Sequence, residues 1–273
     1  MRTVLLKPGD EPRIEAFLRA HADSSLFLRS NLRAAGLVYD GQPQQGTWIA
    51  QEEQGALVGI VCHAWNGNLL FQAPNHAVDL ARFAQEQSRR KVEGLVGPWE
   101  QLEQARRALD LDAIPPTFSA LEDLFALPLA RLIVPSGDWE CRRVTPEDVE
   151  VAAERRSAFI VEALGQKPNR SRESVTAGNY FVLRIEGRIV SSGCFNAQLP
   201  DCVQLGGIYT PPAERNRGHA RKLVAGMLRE AREKGVTRAV LFTNHDNMGA
   251  QRAYKAVGFQ RVGDYGLVLW SAR

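Results

Sequence analysis

Basic side chains, a glycine and an alanine lie close together in the stretch TPPAERNRGHARKL, which runs from residue 210 to 223. Gly218 has no Cβ to hold an anion away from the backbone, and Ala220 is small enough for close approach. Arg215 and Arg217 offer charge-assisted hydrogen bonds, each worth about 1.5–3 kcal/mol when partly desolvated. Where a helix begins, the first N–H groups lack intrahelical partners and the dipole favours negative charge. The stretch therefore predicts a phosphate site, with a solvated basic turn as the alternative.

The segments around this stretch predict the elements that would hold such a site. A strand pattern over Cys202–Thr210 precedes it, and a helix with one apolar face follows and ends at Gly235. A strand over Arg238–Thr243, a helix over Met248–Val257 and a final strand or hairpin over Phe259–Trp270 complete the series. Because strands and helices alternate, we expect a mixed α/β domain with the basic stretch at a strand-to-helix junction.

The same half of the chain opens after a break in an apolar stretch at Pro135. A short strand over Cys141–Val144, a helix over Pro146–Leu164 and two strands, Tyr180–Ile185 and Arg188–Phe195, come next. We therefore expect a boundary near residue 137, with one domain over residues 1–137 and a second over residues 138–273.

The N-terminal half repeats this order of elements more faintly, which indicates a duplicated α/β fold: two tandem domains, each a central mixed sheet flanked by helices. Its predicted strands are Thr3–Leu6, Thr47–Gln51, Ala56–Ala64, Leu69–Gln72 and Val92–Val96, and its predicted helices are Pro12–Ala20, Ser24–Ala35, Val78–Arg89 and Trp99–Leu109.

Composition narrows the classes of protein. The 273 residues include 34 basic and 31 acidic side chains, too even a balance to indicate a nucleic-acid or membrane partner. The four cysteines are far apart and form no CxxC pair, so neither a metal site nor a disulfide framework is predicted. The N-terminus lacks an apolar signal core, and no apolar run has the length of a membrane helix. We expect a cytoplasmic monomer or homodimer with reduced thiols.

Two segments together resemble a known family. The form RxxGxA, from Arg215 to Ala220, resembles the pyrophosphate loop of the GNAT superfamily of N-acetyltransferases. Downstream, NMGAQRAYKAVGF is similar to that family's NxxAxxxYxxxGF segment and includes Asn247 and Tyr254. Both segments lie in the family's order within residues 140–273. The resemblance implies acetyl-CoA or a related acyl-CoA as donor, a small-molecule or peptide amine as acceptor, and no metal.

The resemblance also implies roles for particular residues. Loop amides would hold the pyrophosphate, Arg215 would cover it, and Asn247 would bond the pantetheine arm. Tyr254 matches the tyrosine that protonates the departing thiolate, a transfer that its phenol can perform; alternatively, its ring packs the helix onto the sheet. The implied donor-site residues are Ile208, Tyr209, Thr210, Arg215, Arg217, Gly218, His219, Ala220 and Asn247.

In the implied reaction a neutral amine attacks the thioester directly. A backbone N–H near Ile208 or Thr210 stabilises the oxyanion, and no covalent enzyme intermediate forms. Cys194 and Cys202 are therefore expected to be small buried residues rather than nucleophiles.

The sequence assigns no general base. The strand CVQLGGIYT lacks the glutamate that many relatives carry, and the amide of Gln204 cannot accept a proton usefully at neutral pH. Glu214 is expected on the solvent side of the loop. His245 and Asp246 follow a strand end, where a turn explains them as well as a ligand site does.

The N-terminal half has no RxxGxA pattern and no NxxAxxxYxxxGF segment. The segment NHAVDLARFAQ follows its fourth predicted strand and has no glycine or arginine cluster. A degenerate first domain before an intact second one resembles bacterial tandem-GNAT predicted acetyltransferases. In that arrangement the first domain would form one wall of the acceptor cleft, lined by His63, Trp65 or Trp99, although buried packing is the commoner fate of tryptophan.

Two classes of function follow. One is an N-acetyltransferase with a single site per chain. The other is a non-catalytic acyl-CoA-binding regulatory module, which the missing strand glutamate keeps open. Nucleic-acid contact through the basic stretch is a third interpretation, and Gly218 and the Asn247–Phe259 segment argue against it.

Overall fold

The computed structural model describes residues 1–270, apart from the side chain of Leu164. The chain forms two compact units. The first comprises Met1–Leu124 and the chain from Val262 onward, and the second comprises Phe125–Arg261. No helix within the described residues combines the length and apolarity needed to cross a membrane.

Strands and short helices alternate in both halves of the chain. The first half contains β1 (Arg2–Leu5), α1 (Glu11–Ala20), α2 (Leu26–Ala35), β2 (Gly46–Glu53), β3 (Ala56–Ala64), β4 (Asn68–Gln72), α3 (Ala77–Ser88), β5 (Gly94–Pro98), α4 (Trp99–Ala108) and β6 (Phe118–Pro128). The second half contains β7 (Glu140–Arg143), α5 (Val149–Leu164), α6 (Glu173–Thr176), β8 (Tyr180–Ile185), β9 (Arg188–Gln198), β10 (Cys202–Tyr209), α7 (His219–Glu233), β11 (Arg238–Asn244), α8 (Met248–Ala256) and β12 (Gln260–Leu269).

The sheet of the first unit has the strand order β1-β2-β3-β4-β5-β12. All of these neighbours are antiparallel except β4 and β5, which are parallel. Leu80 of α3 and Leu102 of α4 pack with Phe71 in the core on one side of the sheet. Burial of these apolar faces is the main source of stability for helices this short.

The sheet of the second unit has the strand order β11-β10-β9-β8-β7. Strands β10 and β11 are parallel, and the other neighbours are antiparallel. Leu223 and Leu228 of α7 pack with Leu205 in the larger core. A smaller cluster holds α5 against the strands through Ala152 and Val182. The second unit is therefore a sheet with α7 and α5 on separate cores.

The predicted mixed α/β architecture is confirmed, and the sheet neighbours repeat between the halves. The order strand, strand, strand, helix, strand, helix runs from β2 to α4 and again from β8 to α8. The sequence did not predict β6, because Glu122 and Asp123 interrupt its apolar run and Pro115 and Pro116 precede it. The four-residue helix α6 was missed because so short an element carries no periodicity.

The compact units divide the chain differently from the boundary expected at residue 137. The segment from Phe125 to residue 137 lies in the second unit, and the chain from Val262 onward lies in the first. In the first unit β12 pairs with β5 over Tyr265↔Pro98 to Leu269↔Gly94. The division into sequence repeats over residues 1–137 and 138–273 stays a prediction.

Buried charge fixes the start of α5. The backbone N–H of Thr145 donates to Asp148 at 2.9 Å, and Arg142 and Arg184 both pair with the same carboxylate, which is only 1% exposed. Burial alone would raise the pKa of Asp148, but the hydrogen bonds from Thr145 and Arg142 hold that pKa below its usual range. These contacts join α5 to strands β7 and β8.

Candidate functional site

Strand β10 leaves its neighbour β11 part-way along its length. The parallel register with β11 ends at the pair Gln204↔Val240, whereas the antiparallel register with β9 continues to Tyr209↔Ser192. Residues Leu205–Tyr209 are therefore paired with a strand on one side only. The gap beside them is open to backbone donors and acceptors of β10.

Two glycines shape the free end of β10. Gly207 adopts a left-handed φ of +60°, which a residue with a side chain adopts only at a cost. A Cβ on Gly206 would collide with the side chain of Asn196. The register with β9 shifts between Gly206 and Tyr209, so the strand is bulged where it separates from β11.

The end of β10 is fixed to β9 through hydroxyl groups. Ser191 Oγ lies 2.9 Å from both the carbonyl oxygen of Tyr209 and Oγ1 of Thr210. Because Ser191 has one proton to donate to the carbonyl, Thr210 donates its own hydroxyl proton to Ser191. These bonds hold the last residue of β10 and the first of the following loop in place.

The N-terminus of α7 follows this loop and has a glycine as its N-cap residue. Gly218 is the N-cap residue with φ +76°, and its carbonyl accepts from Lys222 N–H at 3.2 Å. The N–H groups of His219, Ala220 and Arg221 come before that first bond and so lack intrahelical acceptors. A Cβ on Gly218 would lie 2.8 Å from Nε of Arg221. The left-handed conformation therefore favours glycine here, and a side chain would also displace the guanidinium of Arg221.

Arg215 is held on the α5 side of the loop. Its Nη2 lies 2.5 Å from Oε1 of Glu162, and its Nε donates to the carbonyl oxygen of Thr210 at 2.9 Å. The guanidinium also lies 5.9 Å from the ring centroid of Tyr209. Arg215 thus joins α5 to the end of β10, and only its remaining donors can reach an anion at α7.

Glu214 does not lie on the solvent side of the loop, contrary to the expectation. Its side chain is only 17% exposed and pairs with Arg217 at 3.2 Å, His219 at 3.5 Å and Arg188 at 3.6 Å. His219 is buried, and this burial lowers its pKa, which favours the neutral ring. Glu214 therefore organises the basic side chains of the loop.

Asn247 is the N-cap residue of α8. Its Oδ1 accepts from Ala250 N–H at 3.0 Å, which satisfies one of the first donors of the helix. The side chain is exposed, and its Nδ2 still carries two donor protons.

Tyr254 packs within the larger core of the second unit. It is 6% exposed, and its ring makes edge contacts with Phe125 and Phe259 at centroid distances of 6.4 and 6.2 Å. The ring of Tyr254 therefore packs in the core, as one of the two sequence-based interpretations expected. Its proton-donating role stays a prediction.

The other residues considered as bases have structural partners. Gln204 is 2% exposed and donates through Nε2 to the carbonyl oxygen of Leu205 at 3.0 Å. In the turn after β11, Asp246 N–H donates to Asn244 Oδ1 at 2.8 Å, and Gln251 Nε2 donates to the carbonyl oxygen of His245 at 2.8 Å. These contacts support the turn interpretation of His245 and Asp246.

Cys194 is a half-buried thiol and Cys202 is a buried one. Burial raises the pKa of Cys194 to about 11, with a smaller opposing effect from Arg156. Cys194 donates to the carbonyl oxygen of Gly206 at 3.4 Å, and Cys202 is 1% exposed. Neither thiol is poised to act as a nucleophile at neutral pH.

In the first unit, a side chain of α4 occupies the region at the end of β4, which corresponds to the end of β10 in the second unit. After β4, the N–H of Ala73 donates to the buried Oε1 of Gln101 in α4 at 2.7 Å. The helix α3 starts after His76 without a glycine or a side-chain cap. The first unit therefore lacks the open helix start of the second.

His63 does not line a cleft. It is fully buried, with Nδ1 2.7 Å from Ser88 Oγ, and burial lowers its pKa to about 4. Trp99 packs against the core of the first unit, and Trp65 is half-buried. The expectation that His63 forms an acceptor wall is wrong, because its position on β3 faces α3.

The predicted loop and strand residues come together at one end of β10. Sequence reasoning missed Glu162 and Ser191, which fix Arg215 and Thr210 there. No local pattern could have found Glu162, since it lies 53 residues from Arg215 and meets it only through packing of α5.

Comparison with known proteins supports a common fold. Residues 148–259 match the sequence model described as the acetyltransferase (GNAT) family. A GCN5-related N-acetyltransferase from Sphaerobacter thermophilus has a TM-score of 0.58 at 17% identity, with 98% of this chain and 94% of that chain covered. An acetyltransferase from the GNAT family of Colwellia psychrerythraea gives 0.51 at 15% identity, with 99% and 100% covered.

A tandem GNAT protein from the clavulanic acid biosynthesis pathway has a TM-score of 0.52 at 12% identity, with 100% of this chain and 99% of that chain covered. A search of curated proteins gave no significant match. The structural likenesses show a shared fold, while the family match covers α5 to α8, where the site lies. Residues 148–259 therefore match the GNAT acetyltransferase family, and over its whole length the chain has the fold of a tandem GNAT protein.

Proposed function

We propose that the second unit binds acetyl-CoA and transfers its acetyl group to a primary amine of a small molecule or peptide. The observation that carries the proposal is the glycine-opened N-terminus of α7 beside the free end of β10. In this proposal residues 138–273 carry the reaction, and residues 1–137 are a degenerate copy without a donor site.

The pyrophosphate binds at the start of α7. The N–H groups of Arg217, Gly218, His219 and Ala220 point toward one anion, and the helix dipole favours its charge. Arg217 is 61% exposed, so it contributes through screened attraction, whereas the partly desolvated backbone donors contribute more. Gly218 fits this group because its φ of +76° turns the chain into α7 with no Cβ beside the anion.

The thioester lies beside Ile208, Tyr209 and Thr210. These residues have no strand partner toward β11, so their backbone groups are free to bond the pantetheine arm and the acyl oxygen. The Nδ2 of Asn247 donates to the same arm. A backbone N–H near Ile208 or Thr210 stabilises the oxyanion as it forms.

The reaction is a direct transfer between two substrates. The lone pair of a neutral amine forms the new N–C bond, the C–S bond breaks with its electron pair on sulfur, and the amine loses one proton while the thiolate gains one. Tyr254 donates that proton and recovers one from solvent. The amine proton leaves to solvent, since this proposal assigns no protein base.

The donor site is tested with substitutions of the two glycines that flank α7. Gly218→Glu introduces bulk and negative charge at the pyrophosphate position, whereas Gly235→Glu makes the same change after α7, at φ +88° and with no atom within 4 Å of a Cβ. We expect acetyl-CoA to raise the melting temperature of the wild type and of Gly235→Glu, and to leave Gly218→Glu unchanged. An equal shift in both variants would rule out this site.

Catalysis is tested by thiol release from acetyl-CoA with a broad panel of amines. Release that depends on an amine supports the transferase. Binding of acetyl-CoA without release across the panel would instead support the non-catalytic regulatory module, for which the missing strand glutamate is the argument.

A further inference from the structure

Polar groups form a row on the face of the second unit's sheet that lies toward α5. Tyr180, Cys194 and Gly206 are side by side across β8, β9 and β10 through the register pairs Tyr180↔Cys194 and Cys194↔Gly206. The hydroxyl of Tyr180 lies 3.4 Å from Ser192 Oγ. These side chains are satisfied within the protein.

One acceptor on this face is not satisfied. Oε1 of Gln204 is shielded from solvent and has no hydrogen-bond partner, although Nε2 of the same amide donates to the carbonyl oxygen of Leu205. Val203 and Leu205 face the core under α7, so Gln204 between them faces α5. A buried acceptor left without a donor costs about 1–3 kcal/mol, which a bound donor would recover.

Arg156 of α5 brings an unpaired positive charge to this row. Its Nη1 is shielded from solvent without a hydrogen-bond partner, and no carboxylate of the described residues forms an ion pair with it. Burial raises the pKa of Tyr180 to about 12 and that of Cys194 to about 11, and the charge of Arg156 opposes both rises. Arg156 lies one helical turn after Ala152 and Ala153, which pack in the cluster that contains Tyr180 and contacts Cys194, so Arg156 is on the face of α5 toward the row.

The row opens toward the place where the thioester is proposed to lie. Gly206 belongs to the row, and Ile208 follows it by two residues on the free end of β10. Because β10 has left β11 after Gln204, no strand separates the α5 face from the α7 face beside this end of β10. An amine on the α5 side can thus meet the acyl carbon.

We propose that Arg156 binds a carboxylate of the acceptor, so that the acceptor is a small amine carrying a carboxylate near its amino group. A guanidinium binds a carboxylate through two parallel hydrogen bonds, and Gln204 Oε1 accepts from the amino group. This inference rests on the proposed transferase function and specifies its acceptor.

The test compares acids with their amides as acceptors. Glycine is paired with glycinamide, and β-alanine with β-alaninamide. Each amide has the less basic amine and thus the larger neutral fraction, so a preference for the acid cannot come from amine ionisation. We expect the wild type to have the higher kcat/KM for at least one acid over its amide.

The variant is Arg156→Gln, and the matched control is Arg155→Gln at the next position of α5. Arg155 lines a separate surface depression of about 380 Å³ together with Glu147 and Asp148. From the usual strength of charge-assisted bonds we expect Arg156→Gln to raise KM for the preferred acid about 10- to 100-fold. KM for the amide and the acetyl-CoA thermal shift are expected to stay unchanged, and Arg155→Gln to resemble the wild type.

A binding measurement separates this inference from the transferase proposal. With CoA present, the preferred acid is expected to raise the melting temperature of the wild type and of Arg155→Gln but not that of Arg156→Gln. If no amine releases thiol, the melting temperature is measured with each of the two acids. Equal use of acids and amides, or an acid effect that survives in Arg156→Gln, would overturn the carboxylate site while leaving transferase activity in place. If the wild type does not bind acetyl-CoA, the proposed function itself is refuted.

Discussion

At the scale of single residues, the candidate donor site depends on backbone groups more than on charged side chains. Arg215 is committed to Glu162 and Thr210, and Asn247 caps α8 with its oxygen. Gly218 contributes by adopting a left-handed φ at the start of α7. Changes that block the amides at α7 should therefore weaken donor binding more than removal of one exposed arginine.

Tyr254 has two separable contributions, a packed ring and a hydroxyl group. Tyr254→Phe keeps the ring contacts with Phe125 and Phe259 and removes only the proton donor. Because a thiolate is a tolerable leaving group, we expect a loss in kcat of about 100-fold, the lower end of the range for general acid catalysis. Steady-state kinetics measure it, with KM for acetyl-CoA expected to stay unchanged.

Tyr265→Phe is the matched control, since it removes a hydroxyl from another tyrosine that is 5% exposed. A small drop in stability with unchanged kcat is expected there. If Tyr254→Phe also keeps the kcat of the wild type, Tyr254 is a packing residue only.

Sequence reasoning at this scale succeeded where the signal was local. The spacing of Arg215, Gly218 and Ala220 located the helix start, because anion sites of this kind are built from consecutive residues. The environment of Glu214 could not be predicted, since it depends on Arg188 in another strand and on the fold of the loop.

At the scale of elements, the free end of β10 is the feature on which the proposed chemistry depends. The strand separates from β11 after Gln204 and is bulged at Gly206 and Gly207. The bulge and the separation together expose backbone donors that a regular ladder would consume.

The bulge can be tested with Gly207→Val. A branched side chain at φ +60° should lower the free energy of unfolding by about 1–2 kcal/mol and displace Ile208. We expect turnover to fall while the acetyl-CoA thermal shift, which depends on α7, persists. Denaturant unfolding and thiol-release assays measure the two effects.

Gly187→Val is its control, at φ +75° in the turn between β8 and β9, with no atom within 4 Å of a Cβ. It should lower stability by a similar amount and keep the turnover of the wild type. Equal losses of turnover in the two variants would mean that general destabilisation, rather than the geometry of β10, limits the reaction.

Most elements could be predicted from apolar periodicity, and Tyr180–Ile185 and Ala56–Ala64 have the predicted bounds. The arrangement of the strands within the sheets could not be predicted from the sequence. The sequence carries no local sign that β12 pairs with β5, because this pairing joins residues more than 160 positions apart through packing alone. The strand pattern also carries no local sign that β10 separates from β11 after Gln204.

At the scale of the whole molecule, the repeated order of elements is not matched by a repeated site. In the first unit Gln101 of α4 fills the end of β4 by accepting from Ala73 N–H. The segment between β4 and α3 contains no glycine. Both units therefore have the repeated order of elements, whereas the glycine at a helix start is present only at α7.

This asymmetry predicts the stoichiometry of donor binding. We expect isothermal titration calorimetry to give one acetyl-CoA per chain for the wild type and no binding for Gly218→Glu. Gln101→Ala should lower stability, because Ala73 N–H loses its buried partner, and should still bind one acetyl-CoA, since removing a side chain does not create the missing glycine and arginine loop. Two equivalents bound by the wild type would show that the first unit retains a donor site; a second equivalent appearing only in Gln101→Ala would show that Gln101 alone had closed it.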